Sequence, residues 1–411
     1  MLCGDSPPTD LVGIAKLAAE SEVLEAKRSV QYFEIGCRSV LNRTRSGLPF
    51  EWTINPYRGC EFACRYCYAR YTHEFMELRD SADFEDRIYA KSDAGEILRE
   101  ELRRAFLRGK PPTGGIAIGT ATYPYQPAER RFKRTRAILE AFAEHSGLSL
   151  HITTKSDLVN RDIPLLTQIA RRNHFSVNIT ITTLDASLAR LLEPRAPRPD
   201  LRLKAVSALA GAGIAVGVFP NPIMPLITDQ ERRLDRLAKA ARDHGATYFG
   251  GGVLFLQPCS RRVFLPFVAE HFPHLLRRYQ ERYETSAYLQ GPYRDMIRDR
   301  VAAIRDRYGL DAHPRFEGII RPEMAHAPDL QQPLFDFAPV GGKGYPGEAV
   351  TGFEKNSPLA ISHQRCVSNQ AAGRSLEPER TRGFVGEAVR GTGRGWPVSA
   401  PKRTSGRLSV I

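Results

Sequence analysis

Cys60-Glu-Phe-Ala-Cys64-Arg-Tyr-Cys67 gathers three thiols into eight residues, while the other four cysteines of the 411-residue chain are scattered. Thiolates are soft ligands, and iron–sulfur clusters are held mainly by cysteine sulfur. A closed zinc site wants four protein ligands. Here only three cysteines lie together, and the nearest further candidate, His73, sits six residues past Cys67. A zinc knuckle or a set of buried thiols is the competing reading, weakened by the lack of a fourth Cys or His at metal-site spacing. Three thiolates on a [4Fe–4S] cluster leave one iron without a protein ligand, open to a small molecule.

Such a loop needs a scaffold, and the pattern around it alternates strand and helix. Glu51–Ile54 reads as a strand, Asn55-Pro-Tyr-Arg-Gly59 as the loop entering the cysteines, and a helix is expected from Tyr68. Further strands are expected at 115–119, 148–153, 175–181, 213–218 and 248–255, with helices at 128–145, 163–172, 199–212 and 229–244. Six strands and five helical segments indicate a parallel sheet of βαβ units, closer to a partial (β/α)6 TIM-like barrel than to a closed eight-stranded one. Functional groups belong on the loops at the carboxyl ends of such strands. The expected organisation is an N-terminal helix (11–28) and extended arm over 1–50, with a turn at Ser46-Gly47, then a core barrel over 51–260. A helical extension over 261–326, with helices at 261–272 and 277–307, and a largely disordered basic tail over 327–411 complete it. In that tail Gly, Pro, Ser and Arg displace regular apolar periodicity.

Hydrophobic content of 42% supplies a sizeable core, and a formal charge of +13 favours an anionic partner such as nucleic acid. A solvated set of helix faces, carrying pairs such as Arg232-Arg233 and Arg277-Arg278, is the plainer reading of the same charge. No apolar run is long enough for a membrane span, and the first residues lack a basic start and apolar signal region. The expected location is therefore the cytoplasm, without membrane contact.

The C-x3-C-x2-C spacing with Tyr66 before the last cysteine resembles the signature of the radical S-adenosylmethionine (SAM) superfamily. The likeness extends to Arg38–Asn42, Asn55–Cys60, Cys67–Glu74, Tyr125-Gln-Pro127 with Glu129, Thr182–Asp185 and Leu192–Pro197. These are similar to the branch described as DNA-repair-photolyase-like, related to spore photoproduct lyase. The resemblance implies a [4Fe–4S] cluster on Cys60, Cys64 and Cys67. Its free iron would chelate SAM, whose reductive cleavage yields a 5′-deoxyadenosyl radical that abstracts hydrogen from substrate. It further places Tyr66 near adenine, Thr120 and Thr122 near the SAM amino group, and Lys155 and Ser156 near its carboxylate or ribose. Glu193 and Arg195 are implied as a ribose contact and a carboxylate salt bridge, a geometry that suits guanidinium. An electron donor such as flavodoxin or ferredoxin is implied as well.

Two departures stand out. Tyr123 holds the place of an acid usual in the branch, and no cysteine lies between Gly114 and Glu129, where the lyases keep a hydrogen donor. Cys259 is the remaining candidate near the barrel mouth, Cys3, Cys37 and Cys366 being too remote, and Tyr123 and Tyr125 are candidate radical relays. Gln331-Gln-Pro-Leu-Phe335 resembles a short sliding-clamp-docking peptide, or else pins the tail to the barrel. The expected function is radical SAM chemistry of a lyase- or repair-like kind on nucleic acid. The alternatives are modification of a peptide or small metabolite, or a non-catalytic iron–sulfur protein associated with DNA.

Overall fold

The computed structural model describes residues 11–21, 23–27, 30–44 and 48–316. The tail from 317, with the Gln331–Phe335 peptide, the Ser46-Gly47 turn, Cys3 and Cys366, lies outside the described residues.

Eleven strands form two sheets among the described residues: β1 Val23–Lys27, β2 Val30–Ile35, β3 Asn42–Arg43, β4 Trp52–Ile54, β5 Tyr57–Arg58, β6 Arg87–Lys91, β7 Ile116–Ile118, β8 Ser149–Thr154, β9 His174–Thr180, β10 Ala215–Phe219 and β11 Tyr248–Phe249. The larger sheet runs β3-β4-β7-β8-β9-β10-β11, parallel from β4 to β11, with β3 antiparallel at the edge. The helices are α1 Gly13–Glu20, α2 Tyr71–Glu74, α3 Asp83–Asp86, α4 Ala94–Leu107, α5 Glu129–Phe132, α6 Arg134–Ala143, α7 Ile163–Ala170, α8 Ala186–Leu192, α9 Pro199–Gly211, α10 Glu231–Asp243, α11 Pro258–His271, α12 Leu276–Arg282 and α13 Pro292–Arg307. Each of the six parallel strands connects to the next through helices, as a partial (β/α)6 barrel requires.

Period-two alternation explains how these strands sit. In β9, Phe175, Val177 and Ile179 join Leu150 and Ile152 of β8 and Val216 and Val218 of β10 in one core with Leu98, Ile138, Phe142, Leu166, Val206, Leu209 and Leu237 of the covering helices. The alternate positions are small or polar and bond across the sheet. Asn178 donates to Thr153 Oγ1 at 3.2 Å, and His151 and Ser176 lie 2.8 Å apart. Tyr248 fills the space this face leaves, its hydroxyl donating to Asn178 Oδ1 at 2.7 Å. A Cβ on Gly217 would fall inside that Tyr248 ring, so only glycine lets the phenol enter.

The second sheet, β1-β2-β6-β5, differs from the sequence reading. The helix expected over 11–28 stops at Glu20, and Val23–Lys27 pairs antiparallel with β2. β2 in turn pairs parallel with β6, so long-range pairing overrides the local Ala/Glu preference. α4 lies outside the expected elements, and the helix expected from Tyr68 is a 3₁₀ turn, Tyr68–Arg70, followed by α2. Lys133, at φ 52°, divides the helix expected over 128–145 into α5 and α6. The expected 248–255 strand keeps only its first two residues in β11, with Val253 making an isolated bridge to Ile223. The single helix expected over 277–307 stops at Arg282, the end of α12, and resumes only after Gly291, φ 72°, where Pro292 opens α13. No helix of the described residues is long and apolar enough to cross a membrane.

Candidate active site

The cysteine loop is held in place from four directions. Gly59, at φ 78°, carries the chain past β6, where a Cβ would lie 2.7 Å from the Arg87 carbonyl oxygen. Cys60 N then donates to Phe84 O at 2.8 Å. Gln126 grips the loop with both ends of its amide, accepting from Glu61 N and donating to Gly59 O, each at 3.0 Å. Glu61 is itself buried, accepting from Ala128 N at 2.7 Å and the Tyr32 hydroxyl at 2.8 Å. On the far side Arg70, 3% exposed, donates to Cys64 O at 3.2 Å, Ser81 O at 2.6 Å and Glu85 Oε2 at 3.0 Å. Arg65 N donates to Leu192 O at 2.9 Å, tying the loop to α8.

So fixed, Cys60, Cys64 and Cys67 line one cavity at the carboxyl ends of the parallel strands. Its space comes to about 700 Å³ when the part open to solvent is included. Tyr66, Thr120, Thr122, Tyr123 and Lys155 line it as well, with Phe84, Leu254 and Phe255 as apolar wall. Asn55, just past β4, shapes the Thr120–Thr122 turn. Its Oδ1 accepts from Ala121 N at 2.8 Å and Thr122 N at 3.3 Å, and its Nδ2 donates to Thr120 Oγ1 at 3.1 Å.

A buried charge network backs this wall. Glu193 Oε1 accepts from Lys155 Nζ at 2.7 Å, from Thr182 Oγ1 at 2.6 Å and from the Tyr66 hydroxyl, while Oε2 accepts from Arg202. Lys155 also donates to the Tyr66 oxygen at 2.8 Å and sits 5.3 Å from the ring centres of both Tyr66 and Tyr123. Lys155, Glu193 and Arg202 are each 1% exposed. Burial alone would raise the Glu193 pKa, but Arg202 and Lys155 hold it well below the usual carboxylate range. Burial pulls Lys155 down, and Glu193 more than reverses this, so the ammonium stays charged.

The structure separates the expected site residues. Tyr66, Thr120, Thr122 and Lys155 come together on the cavity wall with the cysteines. Ser156 instead caps the 3₁₀ turn Asp157–Asp162, its hydroxyl accepting from Leu158 N at 3.2 Å. Glu193 lies behind the wall with all its donors internal. Arg195 is exposed and turned away, donating to Asp86 Oδ1 at 2.8 Å. The buried guanidinium is Arg202, which also donates to Pro197 O at 2.8 Å and Thr180 O at 3.1 Å. The sequence did carry its signal. Residues 202, 205, 206 and 209 are all buried and fall at i, i+3, i+4 and i+7 on α9, so an arginine interrupts an apolar stripe. Tyr125 is fully buried within the core cluster. Cys259 is buried at the start of α11 and bonds Tyr68 O at 3.5 Å, off the cavity wall.

The donor set decides which group would fit. Among the described residues the cavity wall offers three thiols and no carboxylate or imidazole. Among the same residues no three His, Cys, Asp or Glu side chains converge on a single-ion position. A four-iron cluster spreads its thiolates over separate irons, so three cysteines around one cavity suit it, whereas a tetrahedral zinc would draw four ligands to one point. His73 does not line this cavity; its Nε2 donates to Arg87 O at 3.1 Å, and burial depresses its pKa to about 3. Burial pushes the thiols up, Cys60 to about 12, so ligation must displace their protons.

Comparison with known proteins agrees with this geometry. The family model for the Radical SAM superfamily matches residues 54–244. An uncharacterized protein of Mycobacterium tuberculosis is 37% identical over 306 residues, spanning 72% of this chain and 88% of that one. Another, of Methanocaldococcus jannaschii, is 30% identical over 203 residues, or 49% of this chain and 71% of the relative. Among solved structures, spore photoproduct lyase complexed with a dinucleoside spore photoproduct superposes with a TM-score of 0.50 at 14% identity, covering 68% of this chain and 80% of that one. At that identity the likeness speaks for the fold alone.

Proposed function

We infer from the radical SAM superfamily, to which this chain belongs, that Cys60, Cys64 and Cys67 hold a [4Fe–4S] cluster and that the enzyme abstracts hydrogen from a nucleic-acid substrate. The observation that carries the reading is the single cavity shared by the three cysteines, Tyr66, the Thr120–Thr122 turn and the buried Lys155. When bound, the cluster and SAM supply reductive cleavage and a carbon-centred radical, which is cofactor chemistry and not protein chemistry.

The chain's own residues supply position and exclusion of water. Lys155 offers a fixed positive charge at the cavity wall, oriented by Glu193 and the Tyr66 hydroxyl, and suited to a carboxylate. Asn55 holds the backbone turn whose threonines face the same space. Phe84, Leu254 and Phe255 make the remaining wall apolar, which keeps solvent from a reactive species. The net charge of +13 supports a polyanionic substrate. The fold shared with a lyase whose complex holds a dinucleoside photoproduct supports a substrate that carries nucleobases. Among the described residues the wall carries no thiol beyond the three ligands, so hydrogen return by a fourth cysteine is not part of the proposal.

The test is anaerobic reconstitution and reduction, with 5′-deoxyadenosine measured with and without UV-irradiated DNA. Formation that rises with irradiated DNA is the expected result. Formation indifferent to any nucleic acid would remove the substrate assignment. Cys64→Ala should abolish the product while the cluster-free protein melts as wild type, and retained cleavage would remove the cluster assignment.

A further inference from the structure

We propose that a second concavity, beside the first, is a phosphate-binding subsite that takes a backbone phosphodiester of the substrate. It rests on the nucleic-acid reading above only for the source of the phosphate. It lies between the loop after β9 and the first turns of α10, a space of about 1010 Å³ when the part open to solvent is included. Arg232, Arg233 and Arg236 line it together with Thr182, Thr183 and Asp185.

The charge here is segregated. Among the described residues that line it, Asp185 is the only carboxylate, and Oδ1 already accepts from Ser187 N and Leu188 N at 3.0 and 3.1 Å to cap α8. Its Oδ2 lies 3.7 Å from Arg233. The acids of the same helical turns face the other way. Glu231 pairs with Arg307 of α13 at 3.7 Å, and Asp235 meets Arg307 and the Tyr308 hydroxyl. Among the described residues Arg232 and Arg236 form no ion pair. A solvated helix face pairs its charges locally, as Arg103 with Glu100 and Arg298 with Asp295 do. On α10 that pairing is withheld from Arg232 and Arg236, while Arg233 keeps only its contact with Asp185.

Two further features point to phosphate. α10 starts beside it without a capping side chain from Gln230, so the positive end of the helix dipole adds to the arginines. Guanidinium forks and hydroxyls such as Thr183 match phosphate oxygens in geometry. Position ties the site to the reaction. The Thr182 hydroxyl lies 3.0 Å from Asn221 O, and Asn221 lines the cysteine cavity, so this pair separates the two spaces.

Fluorescence anisotropy of the reconstituted protein with a single-stranded DNA oligonucleotide, across a salt series, tests this. Replacing Arg232 and Arg236 together with Gln should weaken binding about tenfold at low salt and flatten the log–log salt slope by about 1.4, two contacts at about 0.7 each. Arg232→Lys with Arg236→Lys should keep the slope. A control pair on α12, Arg277→Gln with Arg278→Gln, should change affinity by less than about threefold, and melting curves verify that all variants fold. Equal loss for 5′-phosphorylated and unphosphorylated oligonucleotides assigns the diester, and loss confined to the phosphorylated one overturns that assignment. Unchanged affinity and slope in the Gln pair, with wild type binding normally, would overturn the subsite and leave the nucleic-acid reading standing. Absence of wild-type binding at every salt concentration would remove both.

Discussion

Glu193→Gln isolates the buried network behind the candidate site. The carboxylate accepts from Lys155 at 2.7 Å, Thr182 at 2.6 Å, Tyr66 and Arg202, and is itself 1% exposed. The amide keeps the shape but removes the charge, and turns one acceptor into a donor facing Arg202 or Lys155. Hydrogen bonds to charged groups contribute about 1.5–3 kcal/mol each, and stripping one partner from a buried ion pair costs about 3–5 kcal/mol. With two cations left behind, a loss of about 3–5 kcal/mol is expected, against a total stability of about 5–15 kcal/mol. The assay is urea unfolding of cluster-free protein, comparing midpoint and slope. Arg202→Met removes the surplus cation, so in the Glu193→Gln background it should cost little or restore stability, giving a coupling energy of about 2 kcal/mol. A Glu193→Gln loss under about 1 kcal/mol at unchanged slope, or additive single and double variants, would refute the account of Glu193 as the counter-charge to both cations.

Two other outcomes follow from the same geometry. Asn55→Ala should leave two backbone N–H groups of the Thr120–Thr122 turn without their acceptor. It should weaken SAM binding about tenfold, roughly 1.4 kcal/mol, with iron content unchanged, and unaltered SAM affinity would detach that turn from the cofactor. Burial depresses His73 to about 3 and His151 to about 4, against 6.5 for an ordinary imidazole. Between pH 6.5 and 4 the unfolded chain therefore binds protons that the folded one refuses, and stability falls as pH drops, by about 1.4 kcal/mol per unit per histidine. His151→Gln should remove about half of that slope in urea midpoints, and a flat profile from about pH 6.5 to 4.5 would contradict the burial argument.

The barrel strands could be read from the chain because each carries its own signal. Phe175, Val177 and Ile179 alternate with Ser176, Asn178 and Thr180, and that period fixes both the strand and its faces before any partner is known. The second sheet could not be read this way. β2 is completed by β6, more than fifty residues later, and its hairpin partner β1 is cut from an Ala/Glu-rich stretch that favours helix in isolation. The site divides along the same line. Cysteine spacing is a local signal and survives in one dimension. Whether Glu193, Ser156 or Arg195 faces the cavity depends on loop paths that no spacing encodes. The i,i+3,i+4,i+7 stripe through Arg202 was available, but an arginine in a helix reads first as solvent-facing.

The buried network also bears on what the cavity can accept. Lys155 and Arg202 share one carboxylate, so the wall keeps a net positive charge among groups almost fully removed from water. Such a charge is costly unless something compensates it. The Tyr66 hydroxyl, 2.8 Å from the Lys155 nitrogen, and the Tyr123 ring, 5.3 Å from it, offset only part, the ring contact about 0.5–2 kcal/mol. The cysteines cannot help as neutral thiols, and burial pushes all three up. As ligands of the proposed cluster they would carry negative charge, which the Lys155 field already favours at Cys64 and Cys67. An arrangement that holds surplus positive charge against three protonated thiols therefore favours anionic occupants, as the proposed cluster thiolates and a ligand carboxylate near Lys155 would be.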